Sequence, residues 1–140
     1  MCGIAGIFGQ SSDGLLEGQV NKMIMSLVHR GPDDSGIWIN KDNTLALGHR
    51  RLTIIDLSKA GHQPMQSSCG TFVMSFNGEI YNHRELRREL NSQYTSIRWK
   101  GTSDTETILE GFSHWGINKT VEKMVGMFAL AVWDLSLIHI

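Results

Sequence analysis

Proline and cysteine are scarce in this 140-residue sequence, which contains two residues of each. The cysteines, Cys2 and Cys69, permit one disulfide but do not make the framework of a small secreted domain. At the N-terminus no basic segment precedes an apolar run, so no signal peptide is predicted. We therefore expect a cytoplasmic protein with reduced thiols.

The sequence also lacks an excess of positive or negative charge and has no long apolar run. The formal net charge is −1, and Lys and Arg never run longer than two residues. This balance gives no electrostatic case for a nucleic-acid or anionic-membrane partner. No stretch approaches the roughly 18 apolar residues that a membrane helix needs. The sequence also has no phosphate-binding loop, no dinucleotide G-x-G-x-x-G and no zinc-type histidine pair, so neither a metal nor a cofactor is predicted here.

What the sequence does contain is glycine, 15 residues of it, between short periodic segments that indicate tight turns. Alternating and helical spacing predict strands over 2–8, 36–40, 44–49, 52–55, 71–77 and 127–133, a loop over 58–70, and helices over 16–29, after Asn82 and after Ser103. In the first helix an inward face is predicted for Leu16, Val20, Met23, Ile24, Leu27 and Val28. Asn82 and Ser103 each precede a glutamate by three residues, which predicts helix caps. This order predicts one mixed α/β domain with mostly antiparallel sheets.

Cys2 is the first candidate for chemistry. Removal of Met1 would leave a cysteine whose thiol and α-amine lie in one residue, and free α-amines have pKa values of roughly 7.7–8.0. Such a residue supplies both nucleophile and general base. A cysteine at position 2 is, on that fact alone, more often incidental, but Gly3 and the apolar strand after it favour the catalytic interpretation. Cys69, in a polar loop without an adjacent base, is interpreted as incidental.

Asn77 and Gly78 lie where a predicted strand leads into a turn and a helix. The amide of Asn77 and the backbone N–H of Gly78 could hold an oxyanion, and loss of one such donor costs roughly 3–4 kcal/mol in a transition state. Asn-Gly is also one of the strongest short turn signals. Both interpretations are open at this point.

Two charged positions could bind the ends of an amino acid. The Arg50–Arg51 pair precedes an apolar segment, and an arginine fork suits a carboxylate; a solvated basic edge is the alternative. Asp104, at the start of a helix, could pair with an ammonium or simply stabilise the helix N-terminus. Arg51 and Asp104 together would bind a zwitterion.

Seven segments together carry a family resemblance: MCGIAGIFG, HRGPDDSG, LGHRRLTIIDLS, GHQPM, FNGEIYNHRELR, SDTE and GMFALAVWD. The chain resembles, in register from Met1 to about Asp134, the N-terminal glutaminase domain of glutamine-hydrolysing asparagine synthetases. These are class II glutamine amidotransferases with the N-terminal-nucleophile hydrolase fold. The resemblance implies a four-layer α/β/β/α sandwich, incomplete at its C-terminal end. Pro32 and the GEIYNH segment favour the asparagine synthetase branch over other class II branches.

The resemblance also implies roles for single residues. Cys2 is the attacking thiolate, Asn77 and Gly78 form the oxyanion hole, and Arg51 binds the glutamine α-carboxylate. Glu79 and Asp104 lie near the α-ammonium, and Arg30 with its RGPD turn braces the site. The pocket is lined by a strand of four residues, Leu52, Thr53, Ile54 and Ile55.

For the whole protein, the resemblance implies a synthetase domain in cis that uses ATP and Mg²⁺ to convert aspartate to asparagine; this domain lies outside the sequence. The full-length form is compatible with a homodimer. Leu135–Ile140 resembles nothing in the family, which suggests a gene fragment with a foreign tail and an exposed edge on the last strand. Two alternatives are an amidotransferase half that serves another acceptor and a non-catalytic remnant.

Overall fold

The computed structural model describes residues 1–9 and 15–137. Its strands are β1 (Gly3–Phe8), β2 (Asp34–Ile39), β3 (Leu45–Arg51), β4 (Met65–Gln66), β5 (Phe72–Ile80) and β6 (Gly126–Asp134). The helices are α1 (Leu16–Ser26), α2 (His83–Gln93), α3 (Asp104–Trp115) and α4 (Ile117–Lys123), and a 3-10 turn covers Lys59–Gly61.

Two antiparallel sheets lie face to face between helices. One has the strand order β1-β3-β2 and the other β4-β5-β6. Helix α1 packs on the first sheet, α3 on the second, and α2 against α3, while β1 and β3 contact β5 across the space between the sheets. The described residues thus form an α/β/β/α arrangement, as predicted.

Each space between layers holds its own apolar cluster. Leu16, Val20 and Ala46 fill the space between α1 and its sheet. Leu45, Leu47 and Val73 lie between the two sheets. The largest cluster lies between the second sheet and its helices and contains Phe72, Met74, Phe76, Ile80, Leu86, Ile108, Leu109, Phe112 and Met124.

Strand alternation decides which side chains enter the space between the sheets. On β5, Phe72, Met74 and Phe76 face the helices, so the odd-numbered positions, Val73 among them, face the first sheet. On β3, Leu45 and Leu47 face inward, and the same period of two brings His49 and Arg51 to that face. Phe8 of β1 packs against Trp133 of the opposite sheet, which places the even positions of β1 inward too.

Helix α1 is shorter than predicted. It ends at Ser26 rather than at residue 29, because the chain must turn to bring Gly31 against β3, where a Cβ would lie 2.4 Å from the Arg50 carbonyl carbon. Pro32 also disfavours helical angles at Gly31. The inward face holds Leu16, Val20 and Ile24, whereas Met23 is 41% exposed, so its predicted inward position was wrong.

Strands β2 and β3 match the strands predicted over 36–40 and 44–49 within two residues. They form a hairpin whose turn contains Asn43 at φ 51°. The segment predicted as a loop over 58–70 contains the 3-10 turn and β4, and helix α4 was not predicted. Ser103 caps α3 as predicted, since its hydroxyl accepts from the Glu106 N–H at 3.1 Å.

The predicted side-chain cap of Asn82 was wrong. Asn82 precedes α2, but its amide bonds to the chain before β6 instead, donating to the Lys123 carbonyl at 2.9 Å and accepting from the Val125 N–H at 3.0 Å. A tertiary contact therefore takes the place of the local one.

Strand β6 extends from Gly126 to Asp134 and pairs with β5 along one edge; among the described residues no strand pairs with its other edge. Met127 is 72% exposed on it. Of the tail segment Leu135–Ile140, residues 138–140 lie outside the described part. No helix within that part is both long and apolar enough to cross a membrane.

Close packing of α1 on β3 depends on Gly48. A Cβ at this position would lie 2.5 Å from Ile24 Cγ2 and 2.9 Å from Val20 Cγ2, and both are stiff β-branched side chains. We expect Gly48→Ala to lower the free energy of unfolding by about 1–3 kcal/mol in urea titrations. Gly18 of α1 is the control, because a Cβ there would have no described neighbour within 4 Å. Gly18→Ala should raise the free energy of unfolding by about 0.4–1 kcal/mol. Equal effects would contradict this packing.

Candidate active site

A cavity of about 170 Å³ opens at one end of the space between the sheets. It is lined by every predicted site residue except Thr53, namely Cys2, Arg51, Leu52, Ile54, Ile55, Asn77, Gly78, Glu79 and Asp104. Met1, Asp56, Gly61, Gln63, Phe76, Tyr81, Ser103, Thr105 and Met127 complete the lining. The structure thus gathers residues that lie up to 102 positions apart in the sequence, and the roles assigned to them stay predictions.

Cys2 lies directly before β1 and is partly buried at the wall of the cavity. The Leu52 N–H donates to its Sγ at 3.3 Å, and the Leu52 carbonyl lies 3.7 Å from the same sulfur. The Cys2 carbonyl accepts from Arg30 Nε at 3.1 Å. Arg30 therefore contacts the backbone of Cys2, and the bracing role of the RGPD turn stays a prediction.

The segment Leu52–Ile55 lines the cavity but is not a strand, so that prediction was wrong. The last pairs of the first sheet join Gly3 with Arg50 and Asp34 with Arg51, so within the part of the chain that the structure describes no neighbouring strand extends past Arg51. A side chain fixes the segment instead: the Asp33 carboxylate accepts from the N–H and the hydroxyl of Thr53, each at 2.8 Å. These bonds lower the pKa of Asp33. Thr53 thereby anchors the cavity wall without lining the cavity.

Arg51 is buried, which excludes the alternative of a solvated basic edge. Its Nη1 donates to the Ser58 carbonyl at 2.9 Å and its Nη2 donates to the Asp56 carbonyl. Gly61 leaves room for this guanidinium, since a Cβ at Gly61 would meet Nη2 at 2.0 Å. Two of the five N–H donors are occupied by these bonds, and the orientation of the fork is fixed.

The loop that receives Arg51 is tied to the start of α3 through Asp56. The Asp56 carboxylate accepts from the Thr102 N–H at 2.7 Å and from the Ser58 N–H at 2.8 Å. Burial alone would raise the pKa of Asp56, but the hydrogen bonds from Ser58 and Thr102 outweigh it and lower that pKa. An ionised Asp56 therefore joins the two loops on either side of the cavity.

Asn77 and Gly78 lie in the middle of β5, which excludes the alternative of a hairpin turn. The Tyr81 N–H donates to the Val125 carbonyl, so odd-numbered residues of this stretch bond toward β6 and even-numbered residues point away. The N–H of Gly78 therefore points away from β6, and Gly78 lines the cavity. A Cβ at Gly78 would lie 2.4 Å from the Met127 carbonyl oxygen, so the close approach of β6 requires glycine here.

The Asn77 side chain enters the space between the sheets. Its Oδ1 is buried and has no hydrogen-bond partner among the described residues. Asn77 and Gly78 thus line one wall of the cavity, and their use as donors to an oxyanion stays a prediction.

Asp104 performs the helix-terminal role and also reaches the cavity. Its Oδ2 accepts from the Ile80 N–H at 3.1 Å, and its Oδ1 accepts from the Thr105 N–H at 2.8 Å. Burial raises the pKa of this carboxyl. A buried carboxyl of this kind gains from a cationic ligand, because pairing offsets its desolvation. Glu79 lies at the exposed rim of the same cavity.

The sequence did not indicate that His49 and Gln63 contact the strand that carries Asn77 and Gly78. His49 is fully buried and its Nε2 lies 2.9 Å from the Phe76 carbonyl oxygen, while its Nδ1 has no partner among the described residues. Gln63 Oε1 accepts from the Phe76 N–H at 2.7 Å. The period-two pattern of Leu45 and Leu47 could have placed His49 inward. Gln63 lies in the GHQPM segment that carries the family resemblance, but no period or cap signal assigns its side chain a partner.

Cys69 lies outside the cavity. Its thiol is exposed and contacts the hydroxyls of Ser113 at 3.2 Å and Ser67 at 3.3 Å. Burial would raise the pKa of this thiol, but hydrogen bonds from Ser113, Ser67 and Thr71 lower it to about 7. Cys69 is therefore a reactive thiol at neutral pH, which matters for any labelling of Cys2.

Comparison with known proteins gives a consistent result. A family model described as a glutamine amidotransferase domain matches residues 1–139. A Bacillus subtilis protein named asparagine synthetase [glutamine-hydrolyzing] 1 is 39% identical over 140 residues, covering 96% of this chain and 21% of its own length. A Gibberella zeae protein named amidase chry2 is 32% identical, with 96% and 21% covered. The chain spans between 17% and 28% of the length of the first curated relatives it matches.

Among solved structures, the glutamine phosphoribosylpyrophosphate amidotransferase of B. subtilis, complexed with ADP and GMP, superposes with a TM-score of 0.79. The match covers 96% of this chain and 35% of the other, at 18% sequence identity. At that identity the match shows a similar fold and nothing about function. It confirms the predicted fold class.

His49 should make stability depend on pH. Burial lowers its pKa to about 4, whereas an unfolded chain binds this proton with a pKa of roughly 6.5. Between these values the unfolded state holds more protons, so stability falls as the pH falls through this window, by up to about 3 kcal/mol. Urea unfolding at pH 7 and pH 4.5 should show this loss in the wild type and a smaller loss in His49→Gln. Equal losses would contradict it.

Proposed function

The chain belongs to the glutamine amidotransferase domain family, and we propose on this premise that it hydrolyses the side-chain amide of glutamine to glutamate and ammonia. One observation carries the proposal. A single cavity is lined by the Cys2 thiol, by Asn77 and Gly78 as donors for an oxyanion, and by Arg51 and Asp104 as partners for the two ends of an amino acid.

The substrate is held at its α-carbon. The fixed guanidinium of Arg51 binds the α-carboxylate, and the buried carboxylate of Asp104, with Glu79 at the rim, binds the α-ammonium. Leu52, Ile54 and Ile55 supply the apolar wall along the substrate, and Thr53 holds that wall through Asp33. This arrangement directs the side-chain amide toward Cys2.

The reaction begins after Met1 has been removed. Met1 lines the cavity and is 71% exposed, so its removal is sterically accessible and leaves the α-amine of Cys2 in the cavity. This amine accepts the thiol proton, and the sulfur attacks the amide carbon. The carbonyl oxygen gains negative charge and is held by the Asn77 side-chain amide and the Gly78 N–H.

Collapse of this intermediate breaks the carbon–nitrogen bond. The protonated α-amine gives its proton to the leaving nitrogen, and ammonia departs from a thioester between Cys2 and the glutamyl group. Water then attacks the thioester with the α-amine again as base, which releases glutamate and restores the thiol. Every proton transfer is served by Cys2 itself, so we propose a half-reaction that needs neither metal nor cofactor.

For the full-length protein we propose glutamine-dependent asparagine formation. The support is the name of the B. subtilis relative and its 39% identity. A synthetase domain in cis would use ATP and Mg²⁺ to activate aspartate, which ammonia then attacks. We further propose that the protein acts in the cytoplasm, where its two free cysteines stay reduced. For the full-length form we propose a homodimer.

A second candidate is an amidotransferase half that supplies ammonia to another acceptor. The relative named amidase chry2 favours it, because a protein of different name matches the same 96% of this chain. Both candidates share the glutaminase site, and the acceptor would be chosen outside it. A non-catalytic remnant, the third possibility raised by the sequence, has no comparable support in a cavity with all these side chains in place.

Covalent labelling tests the nucleophile. We expect 6-diazo-5-oxo-norleucine to add once to the folded chain lacking Met1, because the reagent resembles glutamine and reacts with a thiolate at the amide position. Intact mass and peptide mapping should place the adduct on Cys2. The measurement is best made in Cys69→Ser protein, since the reactive Cys69 would otherwise add a second mass.

The matched control is Cys2→Ala in the same background, which should stay unlabelled. Protection by excess glutamine should slow labelling of Cys2. Retention of Met1, or labelling that glutamine does not slow, would count against a glutaminase.

Asp104→Asn tests the ammonium partner. Asparagine keeps an oxygen that can accept from the Ile80 N–H but removes the negative charge. We expect the KM for glutamine to rise strongly, because an unpaired ammonium costs on the order of 2–5 kcal/mol. The exposed turn residue Asp42 supplies the control Asp42→Asn, which should leave KM unchanged. An unchanged KM in Asp104→Asn would remove Asp104 from the site.

A further inference from the structure

Among the described residues, the edge of β5 that faces the cavity has no strand beside it over most of its length. Strand β4 pairs only Met65 with Met74 and Gln66 with Val73. Beyond this point the even-numbered residues of β5 direct their backbone N–H and C=O groups toward an open edge. Such groups must find partners when they are buried, because an unpaired one costs about 1–3 kcal/mol.

Side chains supply these partners on both sides of Gly78. At Phe76, the N–H donates to Gln63 Oε1 at 2.7 Å and the carbonyl lies 2.9 Å from His49 Nε2. At Ile80, the N–H donates to Asp104 Oδ2 and the carbonyl lies 2.9 Å from His83 Nδ1. Gly78, midway between them, is the position at which the edge faces the cavity.

The two partners of Phe76 are themselves fixed. Gln63 is 5% exposed, and its Nε2 donates to Thr105 Oγ1 at 3.3 Å, so its Oε1 must face the Phe76 N–H. His49 is fully buried, and because a carbonyl only accepts, its Nε2 carries the proton. A neutral ring suits this environment, where burial disfavours the imidazolium.

We propose that His49 and Gln63 are positioning residues for the oxyanion-binding groups of Asn77 and Gly78. The Phe76 carbonyl belongs to the same planar peptide as the Asn77 N–H. A bond to that carbonyl therefore sets the direction in which the Asn77 side chain projects from the strand. Gln63 holds the preceding peptide from the same edge. The Gly78 N–H belongs to the next peptide, so the bonds from His49 and from Gln63 together determine its position. This inference rests on the proposed glutaminase function.

Loss of either bond should affect the transition state more than substrate binding. A donor displaced by a fraction of an ångström still leaves Arg51 and Asp104 free to bind glutamine, while the oxyanion loses part of its stabilisation. We expect kcat for glutamine hydrolysis to fall about 10- to 100-fold in His49→Leu and in Gln63→Met, with KM changing less than about 3-fold.

The variants come in pairs that separate the effect of losing the hydrogen bond from the effect of changing the side-chain volume. His49→Gln keeps an N–H donor at about the same reach and should recover part of kcat relative to His49→Leu. Gln63→Glu keeps an oxygen acceptor for the Phe76 N–H and should recover part of kcat relative to Gln63→Met. Thr120→Val is the matched control, since it removes a fully buried hydroxyl bonded to the Gly116 carbonyl, outside the cavity; it should lower stability and leave kcat unchanged.

A second readout reports on the oxyanion site directly. The aldehyde analogue of glutamate adds to the Cys2 thiol, so a carbon–sulfur bond forms and the carbonyl oxygen becomes an alkoxide or hydroxyl at the oxyanion position. In His49→Leu and Gln63→Met its inhibition constant should rise in proportion to the loss of kcat. Glutamate itself, which forms no such bond, should bind with unchanged affinity.

The outcomes separate this inference from the proposed function. Wild-type protein that neither hydrolyses glutamine nor binds the aldehyde overturns the proposed function and this inference with it. An active wild type whose variants keep kcat within 2-fold, or lose affinity for glutamate and the aldehyde alike, overturns the positioning role alone. If His49→Leu does not fold, the Gln63 pair and His49→Gln decide by the same criteria.

Discussion

The contact of β3 with β5 across the space between the two sheets is the constraint on which the site depends. It is apolar at one end, where Leu45 and Leu47 meet Val73, and polar at the other, where His49 reaches the Phe76 carbonyl. The apolar end fixes the distance between the sheets through close packing. The polar end then determines the position of Cys2, at the start of β1, relative to Asn77 and Gly78 of β5.

Loops complete the cavity, and hydrogen bonds to neighbouring segments hold them in position. The wall at Leu52 has no strand partner in the described ranges and is held by Asp33, whereas the loop that receives Arg51 is held to the start of α3 by Asp56. Both anchors are carboxylates with lowered pKa values, because several N–H and O–H groups converge on each. Preorganisation of the site therefore rests on a few charged hydrogen bonds in short connections rather than on added secondary structure.

Much of the fold was predictable because its strands and helices obey simple periods. The alternation in β5 and the Ser103 cap of α3 are local signals, and both gave the correct element. The failures have a common cause. Residues 52–55 have strand-like composition but, among residues 1–9 and 15–137, no neighbour to pair with. Asn82 bonds to the chain before β6 rather than to its own helix. Pairing and tertiary competition are invisible in a single sequence.

The same division runs through the site. Cys2, Arg51, Asn77, Gly78 and Asp104 belong to sequence segments with a recognisable pattern, and the fold gathers them in one cavity. Gln63 also lies in such a segment, GHQPM, but its contact with the Phe76 N–H is visible only in the folded structure. Asp104 shows how tightly the two kinds of role are joined, since one carboxylate starts α3, closes the β5 edge at Ile80 and lines the cavity. In evolutionary terms this position answers to selection for folding as well as for ligand binding, so a lineage that lost the activity would still not be free to let Asp104 drift.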